Sequence, residues 1–150
     1  MIKIISFVDS FKHYDEPIKE FQKRLWKQVD FLKLKPSKRK ESKEIVEEET
    51  KELLKVLEKE KWYKVLLYID SAQLSTMEFF DLIENIQMKY SNIIFIVWWS
   101  YGVDYDLLKN SIDLKISLSP MTFPHAQAIM MLFEQIYRVS CIKKWVNYHH

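Results

Sequence analysis

Val65-Leu66-Leu67-Tyr68-Ile69-Asp70 and Asn92-Ile93-Ile94-Phe95-Ile96-Val97 are the runs that decide the fold of this chain. Each is short, almost wholly apolar and rich in residues that fit a pleated surface, the pattern of a strand buried on both faces of a parallel sheet. Between them Ser75 is followed three residues later by Glu78, the spacing of a capping box, so a helix is predicted over 76–89. Strand, helix and strand in that order specify an α/β domain with a mainly parallel sheet.

Working outward, the same alternation of periods continues. Residues 2–8 read as a first strand, 14–25 as a helix and 30–34 as a second strand. The linker 35–42 carries Pro36 and a run of charge and reads as a solvated loop. A helix over 43–60 presents Ile45, Leu53, Leu54 and Leu57 on one face, and 112–118 forms a further strand. The last helix begins at Pro124, a favourable first-turn residue, with Ala128, Met131, Leu132, Ile136, Val139 and Ile142 as its apolar stripe.

Composition limits the functional classes. The 150 residues are 48% apolar and 29% charged, which fits one globular domain over 1–150. Cys141 is the single cysteine, so no intramolecular disulfide framework exists, and a buried thiol in a reducing, cytoplasmic setting is expected. The opening apolar run is too short for a signal-peptide core, and no run approaches a membrane span. His13, His125, His149 and His150 lack the spacing of zinc motifs, and neither a nucleophile elbow nor a phosphate-cradling glycine loop is present. A reaction that needs no metal is expected. The net charge of +2 is uninformative, but Lys33, Lys35, Lys38, Arg39, Lys40 and Lys43 crowd one short stretch. That stretch reads either as a solvated charge run or as a set of phosphate contacts. One number is abnormal: a single glycine, Gly102, stands beside five tryptophans.

The C-terminal third holds Ser117-Leu118-Ser119-Pro120-Met121-Thr122-Phe123-Pro124-His125, then Glu134-Gln135-Ile136-Tyr137-Arg138, and near the end Tyr148-His149. This resembles the RlmH family of SPOUT-class methyltransferases, whose motif is a loop S-x-S-x-M-T-F-P-H, a helix with E-Q-x-Y-R and a terminal Tyr-His. The resemblance implies a trefoil-knotted α/β fold that binds S-adenosylmethionine in its knot loops. It also implies a homodimer that methylates N3 of a pseudouridine in 23S ribosomal RNA of the assembled large subunit. By resemblance the cofactor is held by Ile69, by Trp99 and Gly102, and by Ser119, Pro120, Met121, Thr122, Phe123 and Pro124. Arg138, Tyr148 and His149 are the implied catalytic residues, with His125 orienting the third loop and the tail completing the partner subunit's site. From the charge run, not from the resemblance, Lys38, Arg39 and Lys40 are the candidate phosphate contacts.

Read from the residues alone, His125 is rather a core histidine held by main chain, a preference that the motif reverses, and Glu134 with Arg138 fits an ordinary i,i+4 salt bridge. The last helix carries a surplus of apolar residues, Met130, Met131 and Phe133 among them, which is expected to form the dimer interface. The chain departs from the family pattern at Trp98-Trp99, where the family has Gly-Gly, at Trp145, where it has glycine, and in the tail at Val146-Asn147 and His150. Trp26 lies near another family glycine. Two accounts follow: an RNA-binding protein of the same fold with an impaired cofactor site, or glycine codons of the UGA type translated as tryptophan.

Overall fold

The computed structural model describes residues 1–98, 102–145 and 148. Among them, five parallel strands, β1 (Ile2–Phe7), β2 (Val29–Leu34), β3 (Tyr63–Leu67), β4 (Ile93–Val97) and β5 (Leu114–Ile116), form one sheet in the order β2-β1-β4-β3-β5. The helices are α1 (Asp15–Arg24), α2 (Ser42–Leu57), α3 (Thr76–Tyr90), the single-turn α4 (Tyr105–Leu108) and α5 (His125–Lys143). The α/β fold read from the sequence is therefore the observed one.

Alternation along the strands sorts the core into two halves. Ile4, Phe95 and Val97 join Ile18, Ile83, Leu132 and Phe133 on the α1, α3 and α5 side. Ile5, Phe7, Ile94 and Ile96 join Leu53, Leu57 and Leu108 on the α2 and α4 side. The sheet is thus covered on both faces, as an all-parallel sheet requires. Both bonds of the predicted capping box are formed, the Glu78 amide donating to Ser75 Oγ at 3.3 Å and the Ser75 amide to Glu78 Oε2 at 2.7 Å.

Two details correct the sequence reading. Pro124 is the N-cap of α5, and the helix itself starts at His125. Phe133 is fully buried, meeting Phe31 edge-on at 5.5 Å, so it is core and cannot form an interface. The buried stripe of α5 is Ile129, Leu132, Phe133, Ile136, Val139 and Cys141, whereas Ala128, Met131 and Ile142 are only half-buried. The stripe is broad because α5 packs against α1 and α3 as well as the sheet.

At its far end α5 stops at the C-cap Lys144, and Trp145 follows with φ +56°. Its amide donates to the Ile142 carbonyl at 3.1 Å, the arrangement of a helix end that reverses through a left-handed residue. Such a residue is usually glycine, because a β-carbon there crowds the following carbonyl. The Trp145 ring is 95% exposed, so no burial offsets that crowding. Trp145→Gly is expected to stabilise the fold by about 1 kcal/mol, a rise in thermal midpoint of about 3 °C. In the same thermal melts Lys144→Gly, at φ −94°, should instead lose stability.

Candidate active site

In a parallel sheet all strand ends of one kind lie together, and ligands bind beyond the C-terminal ends where the strand order reverses. Here the chain runs from β1 to β2 on one side and later to β4 on the other, which places the reversal between β1 and β4. A cavity of about 560 Å³ opens at that end of the sheet, lined by Leu67 at the end of β3 with Tyr68 and Ile69 after it, by Trp98, Gly102 and Val103 after β4, and by the loop after β5. Its size and mostly apolar wall suit a small organic ligand.

The third loop owes its shape to its serines. Ser117 Oγ donates to the Ser119 carbonyl at 2.8 Å, the Ser119 amide returns to Ser117 Oγ at 3.3 Å, and the Met121 amide donates to Ser119 Oγ at 3.0 Å. Hydroxyls at alternate positions therefore replace secondary structure in holding the main chain. Ser117 is also bridged to Gln73, which ties this loop to the one after β3. Met121 and Ile69 stay exposed at the rim.

His125 pins the start of α5 to the reversal point. Its Nδ1 lies 3.2 Å from the Trp98 carbonyl, which can only accept, so that nitrogen carries the proton and donates. Nε2, left without a proton, accepts from the Ser6 hydroxyl at 2.9 Å, and the Val97 carbonyl, 2.6 Å from Ser6 Oγ, is the alternative acceptor for that one hydrogen. Burial holds the imidazole below its ordinary pKa, against the raising effect of the Trp98 and Phe7 carbonyls, which keeps it neutral at pH 7. The geometry makes His125 a positioning residue joining β1, β4 and α5.

Trp98 continues the alternation of β4 and turns its ring to the α2 side, edge-on to Phe7 at 5.5 Å. Its indole N–H donates to the Gly102 carbonyl. The indole is thus a wall of the cavity, and it occupies a main-chain acceptor of the second loop.

A second cluster lies at the other end of α5. Arg138 Nη2 and Nε donate to Glu134 Oε1 at 2.6 and 3.0 Å, and Nη1 reaches the Tyr148 carbonyl at 3.4 Å. The guanidinium stands 5.0 Å from the centre of the Tyr148 ring, which meets Tyr137 edge-on at 4.8 Å. Burial, then the Glu134 carboxylate, pushes the Tyr148 phenol above its ordinary pKa, so it remains a proton donor at neutral pH. In one chain this cluster is about 20 Å along the helix from His125, at roughly 1.5 Å per residue.

Lys38, Arg39 and Lys40 are exposed in the loop after β2, at the same end of the sheet as the cavity. The loop is anchored rather than loose. The Ser37 amide donates to Glu49 at 2.9 Å, Ser37 Oγ to Glu48 at 2.5 Å, and Arg39 pairs with Glu48 at 3.3 Å. No helix among the described residues is long and apolar enough to cross a membrane, and among them no group of three or more histidine, cysteine, aspartate or glutamate residues could hold a metal ion.

Residues 1–149 match the family described as Predicted SPOUT methyltransferase. The chain belongs to the SPOUT methyltransferase family. It is 33% identical over 156 aligned positions to the Ribosomal RNA large subunit methyltransferase H of Caldicellulosiruptor saccharolyticus, covering 99% of both chains. The protein of the same name from Mycoplasma capricolum subsp. capricolum is 36% identical, with 99% of this chain and 98% of that one covered. Its namesake from Fusobacterium nucleatum subsp. nucleatum is 32% identical, with 92% and 91% covered.

In this SPOUT methyltransferase the structure gathers Ile69, Gly102, Ser119, Met121, Thr122, Phe123, Pro124 and His125 around one cavity, with Pro120 beside Ile69 on its outer side. It brings Arg138 and Tyr148 together elsewhere. Trp99 and His149 lie outside the described residues. Sequence reading missed Ser6, the partner of His125; the available signal was one hydroxyl in the buried run Ile4-Ile5-Ser6-Phe7.

Proposed function

We propose that this SPOUT methyltransferase transfers a methyl group from S-adenosylmethionine to N3 of a pseudouridine in 23S ribosomal RNA. The names of its relatives, each a ribosomal RNA large subunit methyltransferase, favour that substrate. The observation that carries the reading is the cavity beyond β3, β4 and β5, where hydroxyls and main chain from Ser117 to Pro124 face an apolar wall. That donor set fits the cofactor: an apolar slot for adenine, with Ser119, Thr122 and main-chain groups for its polar parts. Ile69, Gly102, Met121, Phe123 and Pro124 complete the cradle, with Trp99 and Pro120 assigned to it by resemblance.

When bound, S-adenosylmethionine supplies a methyl group already activated by its sulfonium. The protein's own task is to align the acceptor and favour loss of the N3 proton. Arg138 offers a planar fork to a carbonyl oxygen of the ring or to a neighbouring phosphate, steadying the negative charge that proton loss leaves. Tyr148 donates a hydrogen bond, and His149 is the candidate for the proton. Because Arg138 is remote from its own chain's cavity, a complete site needs Arg138 of the partner subunit, which argues for a homodimer. The half-exposed face of α5 around Met130, Tyr137 and Arg138 is the candidate interface. The proposed protein is cytoplasmic and forms one knotted domain over 1–150.

Incubation with ribosomes lacking the modification and with methyl-labelled cofactor is expected to label 23S RNA at one pseudouridine; unlabelled RNA would refute the assignment. Light scattering at micromolar concentration should give twice the chain mass, and a monomer would remove the shared site. Neutralising Lys38, Arg39 and Lys40 together is expected to weaken ribosome binding and lower the slope of log affinity against log salt by about 2 to 3. An unchanged slope would return the loop to a solvated run.

A further inference from the structure

Proteins average about 7% glycine, roughly ten in a chain of this length. This one has a single glycine and five tryptophans. The five do not behave alike. Trp62 packs into the α2 side of the core and carries the Lys3 ammonium 4.5 Å from its ring centre, the surroundings that suit an indole. Trp145 has its ring almost wholly in solvent and its backbone at φ +56°, at a helix end whose hydrogen bonding calls for glycine. Trp26 is 70% exposed, directly after the C-cap Leu25 of α1. Trp98 directly follows β4 at the lip of the cavity, and Trp99 is next in sequence.

We infer that Trp26, Trp98, Trp99 and Trp145 stand at UGA codons that the source genome reads as glycine, so that the native protein has glycine at these four positions and tryptophan only at 62. UGA is a stop codon in the standard code and tryptophan in a widespread variant. Translating a glycine-reading gene with that variant removes glycines and adds tryptophans at the same positions, which is the joint anomaly seen here. Chance replacement needs several separate events, at least one of them into a left-handed turn that penalises every residue with a β-carbon. The consequence for the site rests on the proposed function. With glycine at 98, the carbonyl of Gly102, a residue lining the cavity, loses its indole partner. Two consecutive residues without side chains also let the main chain of the second loop lie against a flat ring.

The test is to read the five codons in the source genome and to identify the same positions by mass spectrometry of the protein from its own cells. The expected result is UGA at 26, 98, 99 and 145 with glycine in the native peptides, and UGG at 62 with tryptophan. UGG at any of the four, or tryptophan in the native peptides, overturns the inference. Neither readout depends on what the cavity binds, so failure of the codon assignment and failure of the methyltransferase reading are told apart.

Discussion

Changing Trp98 and Trp99 together to glycine is expected to tighten S-adenosylmethionine binding at least tenfold in titration calorimetry while lowering the stability of the free protein. The two effects have different origins. Stability falls because Trp98 loses its edge contact with Phe7 and its bond to Gly102, a cost of about 2 kcal/mol for a half-buried indole. Affinity rises because the wall recedes and the carbonyl of Gly102, a lining residue, is released from the indole; one good hydrogen bond is worth about 1 kcal/mol, with the relief of crowding added. Parallel thermal melts and titrations separate the terms. Equal loss of stability and affinity would mean that the indoles belong to the ligand site.

Arg138→Ala is expected to reduce methyl transfer at least a hundredfold and leave cofactor affinity within about twofold. Loss of a charge-assisted contact in the transition state is worth about 3 kcal/mol, which is a factor above one hundred in rate. The cavity proposed for the cofactor lies at the opposite end of α5 and should not feel the change. Arg138→Lys should recover little, because an ammonium lacks the fork. A mixing experiment tests the sharing of sites. Thr122→Trp blocks the cavity; combined with Arg138→Ala in equal amounts, it forms hybrid dimers with one intact site each, restoring about a quarter of full activity. If each chain served its own site, the mixture would stay inactive.

Much of this architecture is legible in the residues. The runs 65–70 and 92–97 announce buried strands because both faces must be apolar, and Ser75 with Glu78 marks a helix start through a local bond that needs no tertiary partner. The single turn α4 escapes periodicity because four residues cannot display a period; its only mark is Asp104, whose carboxylate accepts from the Leu107 amide at 3.2 Å. Phe133 was readable as surplus only while α5 was pictured against the sheet alone; packing on α1 and α3 widens the buried arc to include it. The cavity loop was legible as a motif, since its alternate hydroxyls act on neighbouring amides. The clasp of His125 on Ser6 was not, because those residues are 119 positions apart and meet only once the sheet is ordered.

Because α5 begins at that clasp and runs unbroken to Lys143, it acts as a ruler between the cavity and the arginine cluster. A ruler made of helix is also an angular gauge: each inserted residue turns everything beyond it by about 100° and advances it about 1.5 Å. One extra residue between 126 and 137 would swing Arg138 into the buried place of Val139 and Val139 into the half-buried place of Ser140, breaking the packing and the proposed shared site. Length variation in this lineage should therefore collect in the connections around 35–41 and 99–104, while α5 keeps its residue count.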